Sequence, residues 1–385
     1  MQILFSTLLR FIAFIFCLVL LSLFLPAKTL AITDPLVSEN NKFGIHIFDP
    51  SEIDKVSDLV NSNGGEWGYV TVPVRADDRN REKWNAFMKK CSDKKLIPLI
   101  RLATTMTPKG WVKPSQYDDI DFANFLNDLD WPTQNRYIIV YNEPNHATEW
   151  GGEVNPEEYV QVLEKTTQTF KDRNENFFIL PAGLDAAAPN KSGYMNWKTF
   201  LMRMYAENHN ALSSIDGWTS HSYPNPAFSR SPYDRHDHSI TSFKHEADLV
   251  KRLTGKTLPV FITETGWSNE HLSDWTIANY YEVAFSSAWA DDQIVAITPF
   301  VLHAGNGPFT VFSLLHPDGS PKPQYETLKN LPKTKGQPLP NVEEPEVETV
   351  LPVLGEVTEA TPPSKPLFDI NTLNKLSDVF NWFKN

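Results

Sequence analysis

The chain has 385 residues, 41% hydrophobic and 12% aromatic, with a formal net charge of -12. That length holds one large domain plus appendages, and the apolar content fills a sizeable core. The acidic balance argues against nucleic acid or an anionic membrane surface as the main partner, and says little about neutral ligands. There are two cysteines, Cys17 and Cys91. Cys17 lies in the apolar N-terminal run, so its removal leaves no intrachain disulfide. No Cys/His cluster has zinc-ligand spacing, and neither a metal nor an organic cofactor is expected.

Residues 11–25 (FIAFIFCLVLLSLFL) carry no charge, follow Arg10 and lead into Pro26 and Ala27-Lys28-Thr29-Leu30-Ala31. Residues 1–31 therefore read as a secretory signal cleaved after Ala31. The alternative is an uncleaved membrane anchor, because Met1–Phe5 lengthens the apolar stretch. Either reading places the globular part outside the cytoplasm.

From residue 40 onward, apolar runs alternate with helical patterns. Strands are predicted at 43–48, 67–74, 96–103, 137–142, 177–183, 215–220, 258–263 and 294–300. Helices are predicted at 51–61, 81–94, 116–128, 155–171, 194–208, 239–254, 272–291 and 323–330. The strand runs are continuously apolar, as befits strands buried on both faces. Asn155-Pro156-Glu157-Glu158 shows how one helix starts, with a capping side chain, a first-turn proline and two carboxylates against the dipole. Eight strands alternating with eight helices predict an α/β fold, a (β/α)8 TIM barrel over residues 40–333. A doubly wound sheet would carry a Gly-rich turn after its first strand, and Ile47-Phe48-Asp49-Pro50 offers none. Residues 334–366 read as a Pro/Glu-rich linker, with six Glu and no basic residue between 341 and 360. Residues 367–385 read as an amphipathic tail helix with Leu373, Leu376, Phe380 and Phe383 on one face.

Two strands deliver a glutamate to the rim where barrel active sites are built. The fourth runs from Tyr137 through Val140 into Asn142-Glu143-Pro144-Asn145, and the seventh from Leu258 into Thr263-Glu264-Thr265-Gly266-Trp267. Two carboxylates facing one cleft are the equipment of glycoside hydrolysis. One protonates the leaving oxygen and the other attacks the anomeric carbon, and a separation of about 5–5.5 Å means retention through a covalent intermediate.

These two motifs, each at its strand, resemble clan A glycoside hydrolases over roughly residues 42–331. The resemblance implies Glu143 as acid/base, Glu264 as nucleophile and Asn142 as a contact to the sugar 2-hydroxyl. The sixth strand ends His221-Ser222-Tyr223 and looks like family five and its relatives. That likeness implies a Tyr223 hydrogen bond to the nucleophile and His221 in the sugar subsite. Leu314 to Pro323 looks like the clan's closing turn before the last helix.

The match has gaps. Thr71 stands where family five has an arginine, so Arg101 becomes the first candidate for a cation beside the nucleophile, and Arg75 the second. The eighth strand lacks the tryptophan that floors the subsite in many relatives, which leaves Phe300, His303 or Trp267 to supply a ring or a side chain. His46 on the first strand and Asp185 after the fifth are candidates for contacts to substrate hydroxyls. Trp111 and Trp150, in rim loops, are candidate stacking platforms for pyranose faces.

The expected function is a retaining O-glycosyl hydrolase acting on an oligo- or polysaccharide, as a monomer. Two other readings stay open. One is a catalytically inactive glycan-binding barrel at the cell surface, motivated by Thr71 and the missing tryptophan. The other is a cell-surface interaction protein acting through its acidic linker and tail.

Overall fold

The structure, a computed structural model, describes residues 32–341. The signal or anchor segment, the linker beyond residue 341 and the tail helix lie outside the described residues. Among the described residues, no helix is long and apolar enough to cross a membrane.

Eight parallel strands carry the domain: β1 Gly44–His46, β2 Gly68–Arg75, β3 Leu96–Ala103, β4 Arg136–Val140, β5 Phe177–Pro181, β6 Trp218–His221, β7 Val260–Glu264 and β8 Ile294–Ile297. Each lies where its apolar run predicts one. The ladder is not continuous. The strands form a five-stranded sheet, β1-β2-β3-β4-β5, and a three-stranded sheet, β8-β7-β6. Single parallel bridges join the sheets at both sides, Phe43 with Ile297 and Asp185 with His221. Thr219 Oγ1 also donates to Pro181 O at 2.6 Å.

Both faces of the strands are buried, which explains the unbroken apolar runs. On β3, Ile97 and Leu99 point into an inner core with Tyr137, Ile139, Phe178 and Phe261. Leu96, Ile100 and Leu102 point the other way, into the cluster that carries the helices. Side chains alternate along a strand, so Arg101 shares the inner face of Ile97 and Leu99.

Helices follow the strands as predicted, including Arg81–Asp93, Pro156–Arg173 and Pro323–Asn330. Asn155 caps its helix by accepting from the Glu158 N–H at 3.0 Å. The predicted 272–291 helix stops earlier. It ends at Ser286, and Ala288–Ala290 continue as a 3-10 turn.

Segments at both ends of the described chain cross the N-terminal ends of the strands. Asn135 exchanges hydrogen bonds with the Thr33 backbone, and Tyr69 Oη donates to Asn40. Residues 334–341, expected to open the linker, pack there as well. Gly336 N donates to Glu66 O, Gln134 N donates to Leu339 O, and Lys335 pairs with Glu66. Backbone groups of 336 and 339 are thus satisfied within the domain, which extends at least that far. The opposite, C-terminal ends of the strands remain open.

Candidate active site

Two local irregularities aim the glutamates. β4 ends at Val140, two residues before the predicted end, and Tyr141 and Glu143 both adopt positive φ, 72° and 34°. The left-handed turn takes Tyr141 outward against Trp150 and turns Asn142 and Glu143 into the cleft. On β7 the pairing with β6 slips: Ser220 pairs with Ile262, but His221 pairs with Glu264. Strict alternation would put Glu264 on the outward face of Ile262. The bulge turns it to the interior instead, as bulges beside active sites do.

The cleft, about 670 Å³, is lined by Arg101, Asn142, Glu143, Tyr223 and Glu264, with an aromatic wall that includes Phe48, Phe300, Phe309 and Phe312. Arg101 Nη1 donates to Glu264 Oε1 at 2.8 Å and to Asn142 Oδ1 at 2.7 Å. Tyr223 Oη donates to Glu264 Oε2 at 3.1 Å. His221 Nδ1 lies 2.7 Å from Glu143 Oε1 and 3.8 Å from Glu264 Oε2. One oxygen from each glutamate and one His221 ring nitrogen lie within 4.8 Å of one another.

Space for His221 comes from Gly183. A Cβ there would meet the imidazole Cδ2 at 2.2 Å, so only glycine lets the chain after β5 pass this close.

Charge sets the protonation of the group. Burial alone would raise the Glu264 carboxyl, but the neighbouring charges of His221 and Arg101 outweigh it and hold the carboxyl below its usual range. Burial pulls His221 down, while Glu264 and Glu143 outweigh that and hold the imidazole above its ordinary value. The trio Glu143, His221 and Glu264 has the donor types of a metal site. However, both Glu264 oxygens already accept from Arg101 and Tyr223, and the guanidinium would repel a cation.

The structure thus brings together Glu143, Glu264, Asn142, Arg101 and Tyr223, and corrects four other expectations. His221 is only 2% exposed. It faces the two carboxylates from below rather than lining a sugar subsite. His46 is fully buried, with Nε2 3.9 Å from Glu264 Oε1 and its ring edge-on to Phe300. Burial, then the Arg101 charge, lower its pKa to about 3, so it is a neutral floor residue that substrate cannot reach. Trp150 is 1% exposed, donates Nε1–H to Glu158 Oε2 at 2.8 Å and packs on Tyr141 and Tyr159. Trp267, equally buried, donates to Arg230 O and packs on Tyr281 and Trp289. Neither indole has a free face for a sugar.

Trp111 does line the cleft, and Phe300 stands in the wall where the eighth-strand tryptophan is missing. Arg75 lines it too, with its Nε spent on Asp77 at 2.8 Å. Thr71 is buried and bonded to Thr298, so Arg101 supplies the cation from the next strand.

Sequence reasoning missed two cleft residues. His146 Nε2 pairs with Asp185 Oδ2 at 2.7 Å, and Asn142 Nδ2 donates to Glu149 Oε2 at 3.1 Å. Both flank or end the 3-10 turn Ala147–Glu149, too short for a periodicity that marks which side chain turns inward. Their closeness to Glu143 in the chain was the one available signal.

An α/β domain of parallel strands, with two close carboxylates at the C-terminal strand ends braced by arginine, tyrosine and histidine, has the layout of a glycoside hydrolase catalytic domain. The chain belongs to the glycosyl hydrolase catalytic core family, whose model matches residues 102–326, more than half of the sequence. No curated protein matches it. Among solved structures it is similar to a family 39 glycoside hydrolase from Bacteroides cellulosilyticus WH2, with 18% identity, TM-score 0.52, and 77% of this chain and 63% of that one covered. It is also similar to a glucosidase from Croceicoccus marinus (11% identity, TM-score 0.54, 76% and 66% covered). A third neighbour is GH5_18 from Streptomyces cattleya, solved with GlcNAc (14% identity, TM-score 0.53, 76% and 79% covered). At these identities the likeness is one of fold. The chain spans slightly less than two thirds of the first two.

Proposed function

We propose that this protein is an exported retaining O-glycosyl hydrolase acting on an oligo- or polysaccharide, built on a closed (β/α)8 barrel whose two sheets meet at the Phe43–Ile297 and Asp185–His221 bridges. The observation that carries the reading is the spacing of the carboxylates, whose oxygens approach within 4.8 Å. Inverting enzymes hold their carboxyl groups about 6.5–9.5 Å apart to admit a water and retaining ones about 5–5.5 Å, so the close approach here supports the retaining arrangement.

In the first step a Glu264 oxygen bonds to the anomeric carbon while the bond to the leaving oxygen breaks, and Glu143 gives that oxygen its proton. In the second step Glu143 takes a proton from water as the water oxygen displaces Glu264. Arg101 and Tyr223 keep Glu264 ionised and aimed. Arg101 and Phe300 fill the gaps that motivated an inactive barrel. Export rests on residues 11–25.

Proton NMR of the first product released from aryl or oligosaccharide glycosides tests the stereochemistry. Retained configuration is expected, and initial inversion refutes the covalent route. A second test uses pH. Arg101→Met removes a charge that lowers the Glu264 carboxyl, so that carboxyl's pKa rises. The nucleophile then protonates at higher pH as acid is added. The acid limb of kcat/KM should move upward in pH, with a loss of about 10²-fold at the optimum. An acid limb that stays in place contradicts the assignment of Arg101.

A further inference from the structure

The cleft holds a third carboxylate that the two-glutamate mechanism does not use. We propose that Glu149 is a specificity-determining residue: paired with Asn142, it recognises the hydroxyl on the sugar carbon next to the anomeric centre. This inference rests on the glycosidase reading above.

The geometry runs through one shared donor. Arg101 Nη1 binds both Glu264 Oε1 and Asn142 Oδ1, so Asn142 lies beside the carboxylate that attacks the anomeric carbon. Arg101 can only donate, which turns the amide oxygen of Asn142 toward it and the amide nitrogen away. That nitrogen donates to Glu149 Oε2 at 3.1 Å, and Glu149 itself lines the cleft. The pair therefore borders the ring position next to the reacting carbon, where hydrogen bonds to a hydroxyl tighten in the transition state.

The segment around Glu149 is held firmly. Glu149 ends a 3-10 turn, Ala147–Glu149, and the next residue is the buried, hydrogen-bonded Trp150. Gly110 of the neighbouring hairpin passes so close that a Cβ would meet Thr148 O at 2.1 Å.

Glu149 faces Glu143 and His146 from its own loop, Arg101 from β3 and Glu264 from β7. Burial, then the Glu143 charge, push its carboxyl up to about 7. Its strength as an acceptor therefore changes near neutrality, increasing as pH rises and the carboxylate forms.

The test uses 4-nitrophenyl β-glycosides of glucose, galactose, mannose and xylose. The sugar that is turned over is compared with its 2-deoxy counterpart between roughly pH 5.5 and 8.5, corrected for spontaneous hydrolysis. Wild type should prefer the hydroxylated substrate in kcat/KM, increasingly so as pH passes through about 7. In Glu149→Gln that preference should fall about 10- to 100-fold and lose its pH step, and Glu149→Asp should restore part of both. A structural support alone would leave no step to lose. The thermal midpoint reports whether each variant folds, and if Glu149→Gln does not, Glu149→Asp is read on the same ratio. A wild-type preference and pH step in the variant read overturn the inference and leave the glycosidase reading intact. No hydrolysis of any glycoside by wild type overturns both.

Discussion

Glu264→Ala is expected to lower kcat by on the order of 10⁴-fold or more on every glycoside that wild type hydrolyses. Both oxygens of this carboxylate are held, one by Arg101 and one by Tyr223, which fixes it in place for attack. Removing one partner of a buried pair costs about 3–5 kcal/mol, so loss of activity must be separated from loss of fold. Glu264→Gln keeps the shape, and its thermal midpoint and circular dichroism provide that control. Azide sharpens the test. In Glu264→Ala a small anion can occupy the vacated volume and attack the anomeric carbon from the same face. The product should be a glycosyl azide of inverted configuration, formed only with an activated leaving group. Wild-type turnover in a folded Glu264→Ala protein would refute the nucleophile.

Glu143→Ala should divide substrates by leaving group. Alkyl glycosides need a proton on the departing oxygen and should lose about 10²- to 10⁴-fold, the usual contribution of a positioned acid. Dinitrophenyl glycosides leave as stable anions and should keep their first step within about tenfold. Their intermediate should then accumulate, because the second step still needs a base, and a burst of aglycone should appear. Azide enters from the Glu143 side here, so its product should retain configuration. An equal loss on both substrate types would place Glu143 outside proton transfer. His221 would then need a new account, since its bond to Glu143 Oε1 is the nearest contact of either catalytic carboxylate.

Much of this architecture was legible before any coordinates. β3 matches its predicted bounds residue for residue, because eight consecutive residues of Leu96–Ala103 pair with β2 and nothing interrupts the run. β4 and β8 end before their predicted limits, at Val140 and Ile297, and β4 does so because Tyr141 takes a left-handed conformation. The indoles of Trp150 and Trp267 read as platforms because loop tryptophans are often exposed. In the fold each finds an acceptor for its N–H and aromatic neighbours on its flanks, and so becomes scaffold.

The sequence by itself determined the order of strands and helices and the placement of Glu143 and Glu264 at strand ends. These follow from periodicity and from polar residues closing apolar runs, both of which are local properties. Tertiary structure alone decided which way those side chains point. A left-handed turn at Tyr141 and a one-residue slip between β6 and β7 turn the two glutamates toward each other, and both depend on neighbours distant in the chain. The same holds for Glu149, His146 and the buried His46, whose surroundings form only when loops and strands far apart in sequence close on one another. Local pattern carries no information about such contacts, because a loop has no period to show which of its residues faces inward.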